Sequence, residues 1–160
     1  MKILVLSDSH RAQQPMLDAV RREHPDAIIH LGDHASDTQA LSAAFPLLPL
    51  CTVRGNCDLY EDSVPESALM NWEGVRIFAV HGHRYGVKSG VLRLYYAAME
   101  KKATVILYGH THIPYCEESD GIWLMNPGSC GYSHPSYGII EIKNGIPYCH
   151  IEELYTEGKK

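Results

Sequence analysis

At 160 residues the chain has the length of one ordinary domain. Apolar residues make up 45% and charged residues 21%, enough to bury a core and too evenly mixed for disorder. The net charge of −5 argues against a basic face of the kind that grips long nucleic acid by displacing counterions, so no stable nucleic-acid partner is expected.

The chain opens MKILVLSDSH, whose five-residue apolar run is far too short for a signal peptide. Residues 2–6 read as a short buried strand. Residues 15–24 have helical spacing, with Met16, Leu17 and Val20 on one face and the arginines opposite, and Pro25-Asp26 ends the pattern. Residues 27–31 form a second apolar strand, 38–45 a second helix and 47–53 a third strand, interrupted early by Pro49. This β-α-β-α-β rhythm predicts parallel strands with helical crossovers.

Residues 54–65 form a polar loop. Two strands, 68–72 and 75–80, flank Glu73-Gly74, which has the look of a hairpin turn. Residues 91–101 read as the most amphipathic helix, and 104–108 as another strand. The C-terminal third is strand-rich, with strong two-residue hairpin signals at Asp120-Gly121 and Asn144-Gly145, and 156–160 form a polar tail expected to fray. The prediction is one α/β domain, parallel at its start and antiparallel at its end.

The five cysteines are an odd number with no CxxC pair, which argues against a disulfide framework or a thiolate zinc site. With no stretch approaching ~20 apolar residues, the expectation is a cytoplasmic protein with reduced thiols and no membrane partner. Ten histidines stand out. Seven of them (His10, His30, His34, His81, His83, His110 and His112) lie in or beside short loops, whereas His24, His134 and His150 read as surface or packing residues.

The informative pattern lies at the end of each apolar run. Leu6 precedes Ser7-Asp8-Ser9-His10, and Leu31 precedes Gly32-Asp33-His34. Val53 precedes Arg54-Gly55-Asn56-Cys57-Asp58, Val80 precedes His81-Gly82-His83, and Tyr108 precedes Gly109-His110-Thr111-His112. Five strands end in metal-type ligands, and sites in α/β sheets form at the carboxyl ends of parallel strands. A lone Asp-x-His is ordinary capping chemistry and a lone Gly-Asp ordinary turn chemistry. His110 and His112 carry more weight, because alternate residues of an extended segment face one side.

The donor set also has chemical logic. Two ions about 3.5–4 Å apart need a bridging carboxylate, and Asp33 is placed to serve. Mixed imidazole, carboxylate and amide ligation suits manganese foremost, with zinc, iron, nickel or cobalt as alternatives, over calcium or magnesium. Such a pair can activate a shared water and clamp phosphoryl oxygens, so the expected partner is a small phosphate ester.

The order Asp-x-His, Gly-Asp, Gly-Asn, His, Gly-His-x-His, here SDSH, GDH, RGNCD, VHGH and GHTH, resembles that of the calcineurin-like metallophosphoesterases. Within that family the chain is similar to the small single-domain YfcE-like branch of bacterial and archaeal phosphodiesterases, which also commonly carries VRGNCD and NPGS, here 53–58 and 126–129. The resemblance spans residues 3 to about 142. It implies a single metallophosphoesterase domain over 1–160, built as a four-layer α-β-β-α sandwich of two mixed sheets flanked by helices. It implies one ion on Asp8, His10, Asp33 and His112, a second on Asp33, Asn56, His81 and His110, and a hydroxide bridging both that attacks phosphorus in line. Family members often form oligomers, so a homo-oligomer is compatible with it.

Many relatives carry a histidine after the asparagine, thought to protonate the leaving group; here that position is Cys57. A thiol with a pKa of about 8.5 is a poor stand-in for imidazole at neutral pH. His83, two residues after His81, is the other candidate catalytic residue, as a phosphate contact or an acid. His34 reads either as a substrate contact or as a solvated loop residue, and Arg54 as a partner of Asp58 ahead of a phosphate contact. His30 reads as a packed core residue, the segment 126–129 as a structural loop, and Tyr95-Tyr96 as packing or an oligomer contact. The rival to an enzyme is a catalytically silent interaction scaffold, as a eukaryotic trafficking subunit of this fold is, or a metal-binding regulatory protein. The presence of every expected ligand type favours the enzyme. A chain this short leaves little room for a cap, so an open site acting on simple activated diesters is expected; a cyclic nucleotide, a nucleotide diester and a phospholipid fragment stay open as the physiological ester.

Overall fold

Strands β1 (Lys2–Leu6) and β2 (Ala27–His30) are continuous apolar runs because both of their faces are covered. The computed structural model describes residues 1–155; the tail at 156–160, expected to fray, lies outside the described residues. Helix α1 (Gln13–Glu23) carries the chain from β1 back to β2, which pair in parallel from Ile3 with Ala27 to Leu6 with His30. Helix α2 (Thr38–Ala44) then leads to β3 (Leu50–Thr52), parallel to β2.

A second group comprises β4 (Ser67–Trp72), β5 (Val75–Val80), helix α3 (Leu92–Glu100), β6 (Val105–Leu107), β7 (Tyr115–Ser119) and β8 (Ile122–Asn126). Strands β9 (Ser136–Lys143) and β10 (Ile146–Glu153) return to the first group. The result is two five-stranded mixed sheets, ordered β10-β9-β1-β2-β3 and β4-β5-β6-β8-β7.

Strand alternation separates three apolar layers. Ile3, Val5, Ile29 and Leu31 face Val75, Ile77, Val105 and Leu107 between the sheets. Leu4, Leu6 and Ile28 point the other way, onto Met16, Val20 and Leu41 of α1 and α2. Phe78, Val80 and Ile106 meet Leu94 and Ala98 of α3. This is the expected α-β-β-α order. All three two-residue hairpin turns form where expected, each with positive φ at both residues: Glu73-Gly74 (49° and 83°), Asp120-Gly121 (52° and 79°) and Asn144-Gly145 (53° and 76°).

The differences have local causes. β3 starts at Leu50, because Leu48 N–H bonds back to Phe45 O in a turn that leaves Leu47 94% exposed, and Pro49 has no N–H to give. α1 divides its faces more cleanly than α3, whose outer side leaves Leu92, Tyr96 and Met99 exposed. The C-terminal third is not wholly antiparallel, since β8 lies parallel to β6.

Candidate metal centre

The loops that leave β1, β2, β3, β5 and β6 meet at one edge of the sandwich, three from the first sheet and two from the second. Asp8, His10, Asp33, His110 and His112 all adopt positive φ, between 44° and 68°. Non-glycine residues rarely do so, and such strain concentrates where side chains are held for a purpose. Hydrogen bonds hold these loops. Asp8 N–H donates to Gly32 O (3.0 Å), and the buried Asp8 carboxylate accepts from Ser7 Oγ (2.5 Å) and His110 N–H (3.1 Å) through Oδ2. The glycines allow this approach: a Cβ on Gly55 would collide with Asp33 Oδ1, and one on Gly109 would stand 2.8 Å from Asp8 Oδ2.

One donor atom from each of Asp8, His10, Asp33 and His112 lies within 4.8 Å of the others, and the same holds for Asp33, His81 and His110. Asp33 is common to both groups. Asn56 Oδ1 lies 3.1 Å from His81 Nε2, at the rim of the second group. Asp8 Oδ1 is buried without a hydrogen bond, although His112 Nε2 is 3.0 Å away. His10 Nε2 and His112 Nε2 stand 3.5 Å apart. A buried acceptor with no donor, facing imidazole nitrogens, is the arrangement a cation satisfies. His81 adds a second sign of fit: its Nδ1 lies 2.7 Å from Leu31 O and donates there, which turns Nε2 toward Asp33 Oδ1 at 3.4 Å.

Electrostatics agree with crowded donors. Burial would raise the Asp33 carboxyl, but the hydrogen bond and charge of His81 and the Cys57 N–H hold it well below the usual range. Burial works against a charged His81, yet its contact with Asp33 and the charge of Asp8 raise it overall. Burial, then the charges of His81 and Lys88, bring His110 down to about 4.

The two candidate catalytic residues sit on the outer side. Cys57 is exposed, with its N–H bonded to Asp33 Oδ1 (2.9 Å). Desolvation beside the cluster and the Asp33 carboxylate push its thiol up to about 11. His83 lies with its ring 5.4 Å from that of His81 and 6.2 Å from that of His110, and its Nδ1 is buried without a partner. Burial, then the charges of His81 and Arg84, lower its pKa.

Of the neighbours, His34 comes to 5.3 Å from His10, ring to ring, on the site side of its loop. Arg54 does not pair with Asp58. Its guanidinium bonds Asp62 (2.7 Å) and Glu66 (2.9 Å), because Arg54 N–H donates to Pro65 O and folds the loop's far end alongside. His30 is fully buried, as expected, and burial brings it down to about 4. Gly32 N–H donates to its Nδ1, which leaves Nε2–H for Ser9 Oγ. Asn126 fixes the loop between β6 and β7 through Gly109 O and Thr111 Oγ1, and Ser129 Oγ donates to Asp8 O, the structural role expected of 126–129.

Sequence reasoning missed three supports. The buried Asp58 accepts N–H bonds from Asp33, Gly55 and Ala35, and the buried Asp37 accepts from Ser9 Oγ and Arg11 N–H. Tyr132 lies against His112, ring centroids 4.9 Å apart. Asp58 was visible inside RGNCD; no pattern pointed to Asp37 or Tyr132. A cavity of about 600 Å³ between β7 and β10 contains none of these side chains.

The model of the calcineurin-like phosphoesterase superfamily domain matches residues 1–145. A probable metallophosphoesterase, YsnB of Bacillus subtilis (strain 168), is 34% identical over 150 residues, covering 90% of this chain and 86% of that protein. Phosphodiesterase YfcE of Escherichia coli (strain K12) is 34% identical over 102 residues, covering 56% of this chain and 50% of that one. The crystal structure of a conserved Streptococcus pneumoniae TIGR4 protein, described as a predicted phosphoesterase, superposes with a TM-score of 0.78 at 25% identity, covering 96% of this chain and 89% of that chain. Sequence, fold and strand-end chemistry agree: the chain belongs to the calcineurin-like phosphoesterase superfamily.

Proposed function

We propose that the chain is a phosphodiesterase that works with two divalent ions, manganese foremost. The observation that carries this reading is Asp33, a carboxylate shared by two groups of metal-type donors, opposite the unpartnered Oδ1 of Asp8. Asp8, His10, Asp33 and His112 would hold one ion; Asp33, Asn56, His81 and His110 the other. When bound, the pair supplies Lewis acidity, a hydroxide nucleophile at neutral pH and charge to offset the phosphoryl oxygens.

The chain's own residues do the rest. Ser7 and the His110 N–H hold Asp8 Oδ2, so Oδ1 stays turned to the cluster. Leu31 O holds the tautomer of His81. His83, partly exposed beside His81 and His110, is placed to hydrogen-bond a phosphoryl oxygen or to give a proton to the departing alkoxide. Cys57 carries a thiol, whose ordinary pKa of about 8.5 makes it a weaker acid than imidazolium for that task. Activity should therefore favour esters whose leaving groups need no proton.

The deciding experiment is hydrolysis of an activated aryl phosphodiester by metal-stripped protein, with and without Mn²⁺. Turnover restored at least about tenfold by the ion is expected. No turnover with Mn²⁺, or with Zn²⁺, Fe²⁺, Co²⁺ or Ni²⁺ in turn, would leave the silent scaffold as the better reading. Cys57→His is expected to raise kcat on an alkyl phosphodiester by about 10²-fold or more, the usual worth of a positioned acid, with unchanged metal content. No gain on that substrate would refute the part given to position 57. His112→Ala should lower metal content while thermal unfolding of the metal-free protein stays cooperative, because His112 is a partly exposed loop residue. A drastic shift of that transition would make His112 a structural residue.

A further inference from the structure

Two cavities flank the cluster, and they differ in chemistry. One, about 510 Å³, runs past Asn56 and His83 to Arg54, Glu66 and Arg84, whose charges largely pair with one another. The other, about 500 Å³, starts at His112 and continues along Pro114, Tyr132, Ser133 and His134 to Glu153. Tyr132 stands with its ring 4.9 Å from that of His112 and 5.9 Å from that of His10, yet it is 55% exposed. A tyrosine that serves the fold looks different here: Tyr137 is 1% exposed and its hydroxyl donates to Glu23. Among the described residues the Tyr132 hydroxyl has no such bond, and the half-exposed side chain lines the cavity.

We infer that Tyr132 and this cavity receive the nucleoside arm of the ester, which makes the substrate a nucleotide diester; the inference rests on the phosphodiesterase reading above. A phosphate seated at the cluster beside His112 puts its ester substituent against the Tyr132 ring. Base-on-aromatic stacking needs only a π face, and such a face is what the ring offers. Beyond the ring, the Ser133 hydroxyl and the Glu153 carboxylate suit the hydroxyl and amino groups of a sugar and base. The same carboxylate repels a second phosphate at that end.

The test compares two esters with the same leaving group: thymidine 5′-(p-nitrophenyl phosphate) and methyl p-nitrophenyl phosphate. Wild-type protein with Mn²⁺ is expected to prefer the thymidine ester in kcat/KM by about tenfold or more, the worth of one stacked base. Tyr132→Ala should bring that ratio close to one, and Tyr132→Phe should keep it. A ratio equal in all three proteins would overturn the inference, because loosening His112 slows both esters alike. A wild-type ratio near one overturns the inference alone. Turnover of neither ester with any of the five ions removes the phosphodiesterase reading and this inference with it. Calorimetry gives a readout apart from turnover: thymidine 5′-monophosphate should bind Tyr132→Ala about tenfold more weakly than Tyr132→Phe, and equal affinities would count against Tyr132 as the platform.

Discussion

Asp33→Asn is expected to cut phosphodiester turnover by at least about 10²-fold and to lower the content of both ions. Groups that only orient metal ligands already change affinity or activity by about 10–100-fold, so a ligand common to two ions sets the floor at the upper end. The replacement is nearly isosteric, which isolates charge and donor chemistry from packing. In the native loop Asp33 Oδ1 accepts the Cys57 N–H at 2.9 Å and faces His81 Nε2 at 3.4 Å. An amide keeps one acceptor for these two positions and carries no charge to bridge cations. The metal-free variant should still fold but lose some stability, because His81 and the Cys57 N–H favour the charged form of Asp33 and hold its carboxyl well below the usual range. Metal analysis and kinetics on the same preparation decide the matter: near-normal rate with two ions bound would sink the bridging role.

Much of this was legible because the strands announce their own ends. A buried strand is a run of apolar residues, so the first polar residue after it marks the edge where the chain can carry chemistry. Asp8, Asp33, Asn56, His81 and His110 were found that way. The turns at 73–74, 120–121 and 144–145 were legible because two consecutive positive φ values call for Asn, Asp or Gly. The division into two sheets was not visible in the strands themselves, since periodicity says that a strand has two covered faces and not what covers them; it came only with the family resemblance. Nor could the sequence choose Arg54's partner. Asp58 is nearer along the chain, but its oxygens are committed to three backbone N–H groups, while the 54–65 loop folds back to bring Asp62 and Glu66 to the guanidinium. Local spacing misleads wherever a loop closes on itself. Tyr132 was silent for a related reason: it meets His10 and His112 only through the return of the chain before β9, more than a hundred residues after β1.

Asp58→Ala is expected to be the most destabilising single change at the site, although Asp58 belongs to neither donor group. Its carboxylate is 5% exposed and takes the N–H groups of Asp33 (2.9 Å) and Gly55 (2.8 Å) on Oδ2 and that of Ala35 (2.8 Å) on Oδ1. Truncation leaves three buried donors bare, each worth about 1–3 kcal/mol, so a loss of about 3–9 kcal/mol is expected. A domain of this size has only about 5–15 kcal/mol in total. Asp58→Asn should fall between, since one oxygen can still accept while the NH₂ opposes a backbone N–H. The contrast with Asp8 separates the two roles: Asp58 spends both oxygens on the backbone, whereas Asp8 keeps one free for the cluster. Urea unfolding of the metal-free proteins measures the effect without any contribution from bound ions. A change below about 1 kcal/mol in Asp58→Ala would mean that the loops rearrange to satisfy their own N–H groups, and that the positive φ of Asp33 does not depend on Asp58. The expected order of stability, wild type above Asn above Ala, should be matched by metal affinity, because the same bonds hold the Asp33 backbone where its carboxylate reaches both groups of donors.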